Sequence, residues 1–274
     1  MKKRWLTNKT FIITGAASGI GAGITEKLIE KYNCKIIGII INDIGLNELL
    51  EKLGDKKDHF SYLYYDVSKQ ESWQEIVKYL DTNNIQVDGV INNAGIFPQF
   101  NRYENYTTKA LEECMAVDFF SVAYSINELY PHIKKSTTPA FITISSSAAL
   151  APLPGTSLYT ASKSASKSLT ECFSAEHPEI YVACVCPGFT KTNLFSRQNE
   201  DMSKNKLISH FMTEREKMVK KIVRGIKRRR RLMSFGFDAK AMLILYKLFP
   251  RLSPKLFRWV MRKSKQTIFE NIFK

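Results

Sequence analysis

Tyr159 and Lys163 stand four residues apart in Tyr159-Thr160-Ala161-Ser162-Lys163, a spacing that places two side chains one above the other on a helix. A free phenol has a pKa of about 10 and exchanges its proton slowly at neutral pH. An ammonium about 4 Å away, at an effective dielectric near 20, stabilises the phenolate by roughly 4 kcal/mol. At about 1.4 kcal/mol per pKa unit this brings the phenol toward neutrality, before the desolvation of the lysine and solvent screening reduce the effect. A pair of this kind passes protons to or from an oxygen.

A second constellation lies near the N-terminus. Phe11-Ile12-Ile13 is a short β-rich run, followed by Thr14-Gly15-Ala16-Ala17-Ser18-Gly19-Ile20-Gly21 and a helical pattern at Ile24, Leu28 and Ile29. Strand, glycine-rich turn and helix in succession make a pyrophosphate site: Gly15 permits the tight turn, Gly19 lets the backbone approach the phosphates, and Gly21 lets the helix pack close to the strand while its first amides face the anion. The spacing Gly-x-x-x-Gly-x-Gly differs from the commoner Gly-x-Gly-x-x-Gly, and a purely structural turn is the alternative.

Together these segments resemble the short-chain dehydrogenase/reductase family over about residues 9–192. The family's Thr-Gly-x-x-x-Gly-x-Gly stands as Thr14 to Gly21, and its Asn-Asn-Ala-Gly as Asn92-Asn93-Ala94-Gly95. Its serine matches Ser146, thirteen residues before Tyr159, its Tyr-x-x-x-Lys matches Tyr159 and Lys163, and its Pro-Gly matches Pro187-Gly188, with Thr192 beyond. The resemblance implies NAD(P)-dependent oxidoreduction of CH–OH groups. Tyr159 would exchange a proton with the substrate oxygen, Ser146 would hydrogen-bond that oxygen, and Lys163 would lower the tyrosine pKa and hold the nicotinamide ribose. Gly15, Ser18, Gly19, Ile20 and Gly21 would cradle the phosphates, Asp66 and Val67 would meet the adenine, and Asn93, Ala94 and Gly95 would line the adenosine side. Thr190 or Thr192, with Pro187 and Gly188, would serve the carboxamide end. The alternative for Asp66 is an ordinary strand-end residue that caps the helix following it.

Two positions depart from the family's pattern. Where the family usually carries an Asn in the proton relay, Met115-Ala116-Val117-Asp118-Phe119-Phe120 carries Asp118. An ionised carboxylate accepts but cannot donate, and its charge favours the Lys163 ammonium while opposing a Tyr159 phenolate. At the end of the second strand, where the family places Asp for NAD or Arg for NADP, stand Ile40 and Ile41. Asn42 or Asp43 could serve ribose hydroxyls instead, which leans the cofactor toward NAD.

The elements that must position these groups read as α/β. Strand-like runs at residues 10–14, 35–41, 59–65, 87–92, 140–145 and 181–186 alternate with helical patterns, which predicts right-handed crossovers and a Rossmann-type, doubly wound parallel sheet with ligands at the C-terminal strand ends. A chain of 274 residues with 44% hydrophobic content fills one such domain. The division expected is a catalytic domain over 1–212 and a helical extension over 213–274. Five scattered cysteines and an N-terminus without an apolar signal core point to a reducing, cytoplasmic location. Cys184-x-Cys186 reads as alternation in a buried strand, the four histidines show no ligand spacing, and no metal is expected.

The charge is unevenly placed. Residues 1–212 hold 22 Lys plus Arg against 22 Asp plus Glu, whereas 213–274 hold 19 against 4, so the net charge of +15 lies in the tail. The run Lys227-Arg228-Arg229-Arg230-Arg231 precedes apolar segments at residues 241–249, 256–261 and 268–273. Apolar faces interleaved with cations suit an amphipathic helix on an anionic membrane surface, and no stretch is long and apolar enough to span one. Packing on the domain or across a homodimer or homotetramer is the alternative, and nucleic acid is not expected. The pocket segments 96–100, with Ala148 in 148–154 and Phe189 with the loop 193–211, are apolar and suit a lipophilic, steroid-like alcohol or ketone. A cofactor-binding protein whose catalysis has lapsed, acting through its tail, is the competing reading.

Overall fold

Short apolar runs without alternation are the pattern of strands covered on both faces. The computed structural model describes residues 5–195 and 212–274, and in it these runs form β1 (Thr10–Thr14), β2 (Lys35–Ile40), β3 (Phe60–Tyr64), β4 (Gly89–Asn92), β5 (Ala140–Ile144) and β6 (Tyr181–Pro187). A seventh strand, β7 (Leu232–Phe235), completes one sheet of order β3-β2-β1-β4-β5-β6-β7 in which every neighbouring pair is parallel. The chain leaves β1 toward β2 and β3 on one side and returns to β4 on the other, so a crevice opens at the carboxyl ends of β1 and β4. Of the pocket loop read from the sequence, residues 196–211, His210 included, lie outside the described residues.

Helices cover both faces. On one, Ile24, Leu28 and Ile29 of α1 (Gly19–Tyr32) pack with Ile13, Ile36 and Ile142 of the sheet. α2 (Leu46–Leu53) adds Leu46, Leu49 and Leu53 to that layer. On the other, Trp73, Ile76 and Leu80 of α3 (Gln70–Thr82) meet Ile37 and Val90. Next to them lie α4 (Thr108–Met115), a π-helical turn (Ala116–Phe120), α5 (Ser121–Ile133) and α6 (Ser157–Glu176). The doubly wound α/β architecture expected from the sequence is therefore present.

The tail divides differently from the expected boundary at residue 212. Helix α7 (Arg215–Lys227) buries Met218, Val219, Ile222, Val223 and Ile226 in the same apolar layer as α1, and β7 pairs with β6 through Val185 and Met233. Residues 215–235 are thus part of the sheet unit, and only α8 (Phe237–Leu248), α9 (Ser253–Ser264) and a closing 3-10 segment (Thr267–Ile272) stand outside it. Two features hide this in the sequence. The apolar stripe of α7 is diluted by lysines and arginines, and β7 has a single fully buried side chain, Met233. The basic run between them is also partly committed to packing: Arg229 lies over the rings of Trp5 and Tyr181, and Arg231 donates to the Ser174 hydroxyl at 2.6 Å and the Pro178 carbonyl at 3.1 Å.

If α7 belongs to the core, Ile222→Ala leaves a cavity in a fully buried site and lowers unfolding stability by about 2–5 kcal/mol. Urea unfolding followed by circular dichroism measures this. A loss below about 1 kcal/mol, the range of surface changes, would show α7 to be a loosely attached cover.

Candidate active site

β1 ends at Thr14, and the chain turns through Gly15 at φ +63° before α1 begins at Gly19. Ser18, the residue before the helix, is extended and its side chain caps nothing, so the first amides of α1 are left for an anion. A side chain at Gly21 would place its Cβ 2.1 Å from the Gly15 carbonyl oxygen and 2.5 Å from Asn93 Nδ2, which makes glycine obligatory there. The Thr14 hydroxyl accepts from the Asn93 and Ala94 amides, both at 2.9 Å, and Asn93 Nδ2 donates to the Thr14 carbonyl at 3.0 Å. The loop after β4 is thereby fixed to the end of β1, with Gly95 beneath Lys163.

The proton-handling groups sit on α6 and the end of β5. The buried face of α6 carries Tyr159, Ser162, Lys163, Ser166 and Thr170, small hydroxyls that allow close packing on the sheet around the two larger groups. Ser145 donates to the Lys163 carbonyl at 2.9 Å and Thr170 to the Thr143 hydroxyl at 2.9 Å, fixing the helix against β5. The Ser146 hydroxyl, one residue on, accepts from the Ala148 amide at 3.2 Å and lines the cleft together with Tyr159. Lys163 Nζ lies 5.7 Å from the Tyr159 ring centre. On its other side it meets Asp118 Oδ1 at 3.5 Å.

Asp118 occupies the π turn, where an extra residue per turn re-aims side chains. It is 1% exposed. Its Oδ1 accepts from the Ile96 amide at 2.9 Å and its Oδ2 from the Ser162 hydroxyl at 3.0 Å, with Cys114 Sγ at 3.7 Å. Burial pushes the carboxyl above its ordinary range, and Lys163 and the two hydrogen bonds offset this only in part. Tyr159 is also pushed up, first by burial and then by the Asp118 charge, with the Ser146 hydrogen bond acting the other way. The expected descent toward neutrality is therefore not what this arrangement produces. The lysine charge is engaged by Asp118, and the phenol lies against the Phe97 ring at 4.8 Å between centroids.

A cleft of about 1030 Å³ runs along the carboxyl ends of the strands. Gly15, Ser18, Gly19, Ile20, Asp66, Val67, Asn93, Ala94 and Gly95 line it on one side, and Ser146, Ala148, Tyr159, Lys163, Pro187, Gly188, Phe189, Thr190 and Thr192 on the other. Two of the residues chosen from the sequence stand behind the wall, Gly21 packed on the glycine turn and Asp118 behind Lys163. Asp66 lines the cleft and does not cap the helix that follows: its Oδ1 accepts from the Ser68 amide at 3.0 Å, within the turn before α3, whose N-cap position is held by Lys69. Thr190 is buried, its hydroxyl donating to the Gly188 carbonyl at 2.9 Å. At the tip of β2, Ile40, Ile41 and Asn42 reach the cleft, whereas the Asp43 carboxylate accepts from the Tyr64 hydroxyl.

Two contributors were not legible. Met242 of α8 lines the cleft, and Asp238 at the start of α8 accepts from the Phe189 amide at 2.7 Å. Asp238 nests against Gly188 and Gly236, where a Cβ would come within 2.2 Å and 2.4 Å of its oxygens. The break at Gly236 before a helix was the available signal. A glycine turn with uncapped helix amides, a long cleft crossing the β1–β4 crevice and a Ser-Tyr-Lys group at its far end together fit a nicotinamide dinucleotide.

Comparison with known proteins agrees. The sequence pattern described as short chain dehydrogenase matches residues 9–203. A diacetyl reductase [(S)-acetoin forming] of Staphylococcus epidermidis is 31% identical over 206 residues, covering 72% of this chain and 77% of that protein. A 3beta-hydroxysteroid dehydrogenase of Eggerthella lenta is 28% identical over 192 residues, covering 69% and 74%. The fold superposes on a short chain dehydrogenase/reductase from Burkholderia phymatum in complex with NAD with a TM-score of 0.79 at 18% identity, covering 90% of this chain and 95% of that one. The protein belongs to the short chain dehydrogenases and is an NAD(P)-dependent oxidoreductase acting on CH–OH groups.

Proposed function

We propose that the protein interconverts a lipophilic secondary alcohol and its ketone and takes NAD in preference to NADP. The observation that carries the substrate class is the apolar surround of the proton donor. Tyr159 packs in one cluster with Phe97, Phe100, Met261 and Ile268, and Leu153, Phe189 and Leu194 extend it. No arginine stands among the described residues of the cleft wall, so a carboxylate on the substrate would find no bidentate clamp. The hydroxysteroid relative is consistent with a bulky apolar substrate.

The cofactor preference rests on the tip of β2. Residues 40–45 contain neither Lys nor Arg, and a 2′-phosphate needs a cation there. Asn42 lines the cleft; its Oδ1 accepts from the Ile44 amide at 3.1 Å, and its Nδ2 is the group offered to the ribose hydroxyls. Asp43 is turned to Tyr64 and lends no support.

The proton path follows from the burial of the site. When bound, the nicotinamide supplies the hydride for the carbon. Ser146, which shares the cleft wall with Tyr159, holds the substrate oxygen beside the phenol. Tyr159 gives its proton to that oxygen in reduction and takes it back in oxidation. Burial and the Asp118 charge both keep the phenol protonated, which suits a donor. Asp118 fixes Lys163 from behind and faces no substrate.

Tyr159→Phe keeps the ring and removes the proton, so turnover on a confirmed ketone should fall by at least about a hundredfold while dinucleotide affinity changes little. Reduced-nicotinamide absorbance and isothermal titration read the two quantities. Near-normal turnover would remove Tyr159 from the mechanism.

Asp118→Asn removes the negative charge that opposes the phenolate. With that charge gone, the tyrosine pKa falls, the alkaline loss of reduction moves to lower pH, and oxidation, which needs the phenolate, gains at lower pH. The measurement is kcat/KM against pH in both directions. An unchanged profile would mean that Asp118 is already neutral at the working pH.

A further inference from the structure

We infer that the outer face of α8 and α9 is a docking surface for anionic lipid bilayers. Each helix spends one side on the fold. Ala239 and Met242 of α8, and Ser253 and Met261 of α9, are buried, and Ile268 and Ile272 close the same seam. The opposite side is apolar and open. Ile244, Leu248, Phe249, Leu252, Leu256 and Trp259 form a run of exposed side chains along both helices and the corner that joins them. The corner is held by its own backbone, the Leu252 amide on the Phe249 carbonyl at 3.1 Å and the Ser253 amide on the same carbonyl at 2.9 Å, so these residues are presented at its tip.

Charge identifies the occupant. Between residues 239 and 269 there are eight Lys and Arg and no Asp or Glu. On α9 the stripe Leu256-Trp259-Val260 is exposed, with exposed Lys255, Arg258 and Arg262 around it. An apolar stripe rimmed by long cationic side chains places its carbons among acyl chains and its charges among lipid phosphates. A second copy of the chain fits poorly, because a two-fold contact through this face would set the exposed Lys255, Arg258 and Arg262 of one copy near those of the other. None of the described helices is long and apolar enough to cross a membrane, so the surface rests on a bilayer. This inference stands apart from the substrate reading and does not depend on it.

The molecule carries its own probe. Of its three tryptophans, Trp5 and Trp73 are 7% and 0% exposed, whereas Trp259 is 58% exposed and lies on the proposed face. Full-length protein is titrated with phosphatidylcholine vesicles with and without phosphatidylserine, and tryptophan emission and co-sedimentation are read together. Binding to phosphatidylserine vesicles with a blue shift is expected, weakened but not abolished by high salt because ions screen only the charged part. Leu256→Ser combined with Val260→Ser should weaken that binding at least tenfold, with the far-ultraviolet spectrum and the affinity for NAD unchanged. Failure to bind anionic vesicles, equal binding to neutral ones, or wild-type binding by the double variant would overturn the inference. So would a blue shift that grows with protein concentration in the absence of lipid, which would assign the face to a second copy.

Discussion

Lys163 Nζ and Asp118 Oδ1 stand 3.5 Å apart, both side chains almost wholly buried, with Lys163 between the cleft and the carboxyl behind it. An unpaired charge in such a place costs several kcal/mol, and removing one partner of a buried pair typically costs about 3–5 kcal/mol. The surroundings of the active site follow from this pair. The π turn lies at Asp118, a Cβ at Gly95 would come within 2.8 Å of Lys163 Nζ and displace it, and the Ile96 amide and Ser162 hydroxyl bond the carboxylate oxygens. With the Ile96 amide and the Ser162 hydroxyl, the pair joins the π turn, the loop after β4 and α6. It also absorbs the lysine charge that the phenol would otherwise feel most strongly.

That competition explains why the tyrosine's acidity could not be read from its spacing. The distance between Tyr159 and Lys163 is a local property, fixed by four residues of helix, and the sequence displays it directly. The dielectric around the phenol is non-local. It depends on Phe97 and on Met261, Ile268 and Ile272, which arrive from the far end of the chain. Asp118 was legible as a departure from the family's pattern and as a charge hostile to the phenolate. Its burial and its hydrogen bonds required the fold.

The same division between local and non-local signals runs through the architecture. Six strands announce themselves as apolar runs, and their ends in the structure lie within two residues of the pattern, as at β4, which begins at Gly89. Ile41 continues the apolar run of β2 but stands exposed, because β2 ends at Ile40 and the chain turns out of the sheet. β7 escaped because an edge strand needs cover on fewer sides, so Leu232 can face solvent and only Met233 must be apolar. The glycine turn was legible in full: each of its three glycines answers a backbone or packing demand that the motif's spacing implies.

The tail is where composition and structure diverge most, because one sequence segment serves two solvents. A helix that is apolar all round is ordinarily buried, and a monomer rarely leaves large contiguous apolar patches open. α8 and α9 each bury only two residues completely, yet their outer sides carry Ile244, Leu248, Leu256 and Trp259. Folding of the sheet unit does not demand that those outer residues be apolar. The inner sides are joined to the chemistry: Met242 forms part of the cleft wall, and Asp238 holds the Phe189 amide above it. A rigid-body displacement of this helix pair would therefore carry Met242 and strain the bond to Phe189 together.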